Sequence, residues 1–116
     1  MLAGTYDIIC EQGATFRRII SVVNADDSLP DYSGSTARMQ VRPTVESPTI
    51  IIDLATTNGR ITLEDNTITL NIGANDTATL PIGTYRYDLE ITTYPEVIRL
   101  VQGSFKVSPE VTRPVL

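Results

Sequence analysis

Gly83-Thr84-Tyr85-Arg86-Tyr87-Asp88-Leu89-Glu90-Ile91-Thr92 alternates side-chain character without a break. Tyr85, Tyr87, Leu89 and Ile91 take one parity; Arg86, Asp88, Glu90 and Thr92 take the other. Successive side chains of a strand point to opposite faces, so a period of two predicts a long strand with one buried side. The other side faces solvent or a partner.

The pattern continues in both directions. Downstream, Thr93-Tyr94-Pro95-Glu96 turns the chain into a strand over residues 97–107. Its inward set shifts from Ile98 and Leu100 to Phe105 and Val107, which predicts a bulge near Gln102-Gly103. Upstream, residues 74–80 are the one stretch expected to form a helical turn, ended by Pro81-Ile82-Gly83. Residues 61–63 and 67–72 read as paired strands across Glu64-Asp65-Asn66, and Thr57-Asn58-Gly59 after residues 50–54 carries a hairpin signal. In residues 36–42, Ala37, Met39 and Val41 face one way and Arg38, Gln40 and Arg42 the other. Residues 6–10 and 15–23 supply the first two strands. Seven or eight strands separated by short turns favour a sandwich or a barrel.

One local motif narrows the choice. A helical turn followed by Gly83-Thr84-Tyr85, early in a long strand, has the form of a tyrosine corner, in which a phenol ties down the loop that crosses between sheets. The expected fold is therefore an all-β, immunoglobulin-like antiparallel sandwich over residues 1–107. Pro109 and Pro114 lack backbone donors, so residues 108–116 read as an extended C-terminal arm. Its Val111, Val115 and Leu116 offer apolar burial, while Glu110 and Arg113 can fix register on a neighbouring chain. Ile20, Met39, Leu70, Tyr85, Leu89 and Phe105 are the expected core.

Composition excludes several kinds of function. With 116 residues, 41% hydrophobic and 20% charged, the chain has the make-up of one folded domain. It contains no His, which removes the usual general base and the commonest metal ligand. No phosphate-cradling Gly loop is present. Asp26, Asp27 and Asp31 share a loop but match no calcium-loop spacing, and read as turn acids. No enzyme, cofactor or small-molecule substrate is expected. A net charge of −5, with eight Arg and the single Lys106 dispersed, argues against nucleic-acid binding. No apolar run spans a membrane and no leader is visible. Cys10, the sole cysteine, reads as a small buried apolar residue in a reducing compartment. The absence of Trp and the 6% aromatic content weaken a carbohydrate-binding reading, for which Tyr32 and Tyr94 are the only candidate rings. What remains is protein–protein contact. Its candidates are Arg38, Arg42, Arg86 and Arg99, with Arg17 or Arg18 beside them, and the arm residues Glu110, Val111, Arg113, Val115 and Leu116.

Read in order, Thr5-Tyr6-Asp7-Ile8, Gln12-Gly13-Ala14-Thr15-Phe16-Arg17-Arg18, Asp31-Tyr32-Ser33-Gly34-Ser35-Thr36-Ala37-Arg38-Met39-Gln40-Val41-Arg42, Gly83-Thr84-Tyr85-Arg86-Tyr87-Asp88-Leu89 and Gly103-Ser104-Phe105-Lys106-Val107-Ser108-Pro109-Glu110-Val111-Thr112-Arg113 resemble small virion structural proteins of tailed bacteriophages. They are also similar to the immunoglobulin-like N-terminal domain that anchors phage upper baseplate proteins to the particle. The resemblance implies a non-enzymatic adaptor in the virion, assembled in the host cytoplasm. It would dock in symmetric copies on other virion proteins of the tail, baseplate or neck, or else decorate the capsid. Those baseplate proteins continue into helical and receptor-binding regions, so the resemblance implies the anchoring module alone.

Overall fold

A computed structural model of the chain describes residues 3–112. Its strands are β1 (Gly4–Thr5), β2 (Ile8–Glu11), β3 (Phe16–Ser21), β4 (Thr36–Arg42), β5 (Ile52–Ala55), β6 (Ile61–Glu64), β7 (Thr67–Ile72), β8 (Gly83–Thr93) and β9 (Glu96–Ser108). One α-helical turn, α1 (Ala74–Thr77), and one 3-10 turn, Thr56–Asn58, complete the elements of the described residues. The strands form two sheets. The larger has the order β1-β9-β8-β4-β5, with β2 also on β9; the smaller is β3-β7-β6. Pairing is antiparallel except where β1 and β2 join β9 in parallel.

The inward side chains of the two sheets make one core. Met39, Leu54, Ile68, Leu70, Ile72, Leu89 and Phe105 are fully buried within it. Phe16 of β3 meets Phe105 of β9 across the sheets, with ring centroids 5.9 Å apart and planes tilted by 55°. Tilted aromatic pairs at this spacing add to the gain from burying their area. Of the expected core only Ile20 is half-buried, packed against the cluster from the rim.

The crossing between sheets is held as a tyrosine corner. The Tyr85 hydroxyl donates to the Pro81 carbonyl at 2.6 Å, and a Cβ at Gly83 would come within 3.0 Å of that hydroxyl. Thr77 on α1 is completely buried. Its Oγ1 donates to the Ala14 carbonyl (2.8 Å) and accepts the Gly13 N–H (3.1 Å), satisfying a loop that would otherwise bury bare backbone groups. Two sheets, a parallel first strand and this corner define an immunoglobulin-like β-sandwich.

Three local expectations are corrected. The Thr57-Asn58-Gly59 signal does not close a hairpin: β5 pairs with β4 and β6 with β7, so the turn carries the chain from one sheet to the other. Gly59 has φ 79, as the turn chemistry requires. Asn58, however, folds back to cap the preceding strand, its Oδ1 accepting the Ala55 N–H and its Nδ2 donating to the Asp53 carbonyl. The bulge in β9 lies at Leu100, because Leu89 pairs with Val101 and Glu90 with Arg99. Finally, the first strand is broken at Tyr6-Asp7 into β1 and β2.

Cys10 is buried on β2, and burial pushes its thiol up to about 11. Alkylation needs the thiolate. Native protein at pH 8 is therefore expected to resist iodoacetamide, while protein in guanidinium chloride takes up one equivalent; intact mass measures both. Rapid native labelling would show that β2 opens locally.

Candidate functional site

Four of the sequence-predicted arginines converge on one surface. In β4, burying Ala37, Met39 and Val41 forces Arg38, Gln40 and Arg42 outward. In β8, burying Tyr85, Tyr87, Leu89 and Ile91 does the same for Arg86, Asp88 and Glu90. The Leu100 bulge keeps Arg99 and Gln102 both on the outer side of β9, because it absorbs one residue between them. Register then aligns the outward residues in rows: Arg38 opposite Glu90, which faces Arg99; Gln40 opposite Asp88, which faces Gln102; and Arg42 opposite Arg86.

These residues line an open groove of about 370 Å³, walled on one side by Thr44 and Val45. Four arginines against the two carboxylates of Asp88 and Glu90 make the groove cationic on a chain of net charge −5. Arg38 pairs with Asp53 at 3.5 Å and Arg99 with Asp88 at 3.4 Å. Both pairs are exposed, where such contacts add little stability but do hold the guanidinium groups in place. Arg42 instead donates to neutral oxygens, the Ser47 carbonyl (2.8 Å) and Gln40 Oε1 (2.7 Å). No carboxylate of the described residues lies within ion-pair distance of Arg42 or Arg86.

The other candidates sit elsewhere. Arg18 is on the smaller sheet, stacked 4.8 Å from the Phe16 ring centroid. It donates to the Ile9 carbonyl at 2.8 Å, tying β3 to β2. Arg17 is exposed on the same strand. Of the arm, Ser108 still belongs to β9, and the Glu110 N–H donates to Gln12 Oε1 at 3.3 Å. The Glu110 carboxylate occupies the space a side chain at Gly13 would need. The arm thus begins folded back on its own β2–β3 turn, with Val111 88% exposed beyond it. Arg113, Val115 and Leu116 lie outside the described residues.

The loop acids serve the turns. Asp26 accepts the Ser28 N–H and Asp31 the Ser33 N–H, each at 3.0 Å. The Ser28 hydroxyl, which also donates to Asp26, together with these N–H bonds holds both carboxyls below the usual range. Tyr94 is exposed at the tip of the β8–β9 hairpin, whereas Tyr32 is half-buried against the core. Sequence reading missed Thr44, Val45 and Gln102 as groove residues. Gln102 was hidden by the misplaced bulge, and the Thr44-Val45 loop has no periodicity to place it.

No family model and no curated protein matches the chain. Among solved structures it is similar to the extracellular domains of the voltage-gated sodium channel beta4 subunit, described as parallel homodimers that explain a role in cell–cell adhesion. The identity is 14%, over 97% of this chain and 92% of that one, with a TM-score of 0.43. That overlap adds nothing to the fold assignment, which rests on sheet order, register and the Tyr85 corner.

Proposed function

We propose that the chain is a non-enzymatic structural adaptor of a bacteriophage particle, docking through protein–protein contacts on the tail, baseplate or neck. The observation that carries the docking half is the convergence of Arg38, Arg42, Arg86 and Arg99 on one groove. Arginine suits such a surface because its planar fork makes geometrically fixed contacts with a partner. The particle half is supported by the ordered sequence segments that resemble virion proteins. Capsid decoration is the same reading at another position on the particle.

The test is incorporation. Particles assembled with a variant carrying Arg38→Glu and Arg86→Glu are expected to lack the protein after gradient purification, while the variant itself keeps a native circular-dichroism spectrum. Normal incorporation of a folded variant would remove the groove from the docking surface. Absence of the unaltered chain from purified particles would remove the virion role altogether.

A further inference from the structure

Arg42 and Arg86 face each other directly across β4 and β8. Like charges directly opposed on an antiparallel pair destabilise a sheet. A sequence serving stability alone would place a carboxylate at one of the two positions, as it does at Glu90 opposite Arg38. Asp7 feels the Arg86 charge through space but makes no ion pair with it, and its Oδ1 accepts the Ser104 N–H at 3.0 Å. Departures from local consistency concentrate at functional sites.

We infer that Arg42 and Arg86 form a receptor for a carboxylate side chain on an acidic segment of a partner protein. This rests on the docking role proposed above and names its chemistry. A guanidinium presents parallel N–H donors, the arrangement that selects carboxylates by geometry as well as charge, and Arg42 keeps three of its five N–H donors after the bonds to Ser47 and Gln40. Arg38 and Arg99, already paired, flank the receptor. Val45, 77% exposed on the wall, adds a place for an apolar residue next to the acid. Asp88 and Glu90 line the same groove and limit it to one or two acidic groups, so a long run of phosphates is disfavoured.

The probe is an acetylated, amidated pentapeptide with two glutamates around a valine, alongside its glutamine counterpart and inorganic phosphate. Side-chain ¹⁵N–¹H spectra of the arginines are followed in each titration. The expected result is saturable shifts at Arg42 and Arg86 with the glutamate peptide, and binding of the glutamine peptide weaker by roughly ten-fold or more. Arg86→Glu is expected to abolish the shifts and also raise Tm by about 1–5 °C, because repulsion with Arg42 becomes attraction. Arg60→Gln, which breaks a pair with Asp76 outside the groove, is expected to leave binding intact. Phosphate binding as tightly as the peptide, or peptide-blocked dimerisation of the free chain, would overturn the inference. So would a Tm that falls in Arg86→Glu while the shifts persist. Peptide binding with normal incorporation of the charge-reversed variant would keep the receptor and remove its role on the particle. Loss of incorporation without peptide binding would do the reverse.

Discussion

Phe105→Ala is expected to destabilise the domain by about 3–5 kcal/mol, the usual range for deleting a buried Phe ring. The ring has no solvent exposure. It sits between Ile8 of β2 and Tyr85 of β8 in register and packs at a tilt against Phe16 of the opposite sheet. Removing it leaves a void with three elements around it, and close-packed walls relax only in part. A domain of this size holds roughly 5–15 kcal/mol in all, so the variant would be near the edge of folding. Urea denaturation measures the difference. Lys106→Ala, at the exposed neighbouring position, is expected to stay within about 0.5 kcal/mol. A Phe105→Ala effect below about 1 kcal/mol would contradict the inward assignment of β9.

Gly103→Ala is the second large effect, expected at about 2–4 kcal/mol. A methyl group there would collide with the Tyr6 carbonyl oxygen and approach Asp7 Oδ1 to 2.9 Å. Both belong to the Tyr6-Asp7 segment, which runs beside β9 between β1 and β2. That segment is held by the Tyr6 N–H to the Gln102 carbonyl (3.0 Å), the Ser104 N–H to Asp7 (3.0 Å) and the Tyr87 hydroxyl to the Tyr6 carbonyl. Relieving the collision means lifting this segment and losing those bonds. Hydrogen exchange should then show protection lost first at residues 4–11. Gly4→Ala, where an added methyl meets only ordinary contacts, is the control and should be nearly neutral. A silent Gly103→Ala would mean that the Tyr6-Asp7 segment is loosely held.

The contrast between Gly103 and Leu100 shows what the sequence can and cannot say. The phase change in β9 was legible, because Phe105 and Val107 cannot share a face with Ile98 and Leu100 on a regular strand. Its position was not. Glycine attracts a bulge assignment, yet Gly103 is dictated by Tyr6, almost a hundred residues earlier, and the bulge rests on an apolar residue with no local signature. Asn58-Gly59 is similar: its left-handed glycine was legible, but the sheet each flanking strand would join depends on distant partners. At the candidate site, alternation placed each Arg outward on its own strand. Only register placed Arg42 against Arg86 and brought Val45 beside them. The arm was read from its prolines alone, and nothing local to Glu110 signals its return to Gln12 and Gly13.

The parallel pairing of β1 and β2 with β9 has a mechanical consequence. Gly4 lies beside Val101 and Glu11 beside Ser108, so tension entering at Gly4 and leaving at Ser108 pulls the two strands past each other along their length. The ladder hydrogen bonds from Gly4↔Val101 to Glu11↔Ser108 then carry the load together in shear, where an antiparallel terminal hairpin would unzip one bond at a time. Resistance to such force is set by the unfolding rate and not by equilibrium stability. Variants that detach β1 and β2 would therefore weaken the domain under tension far more than a melting curve records.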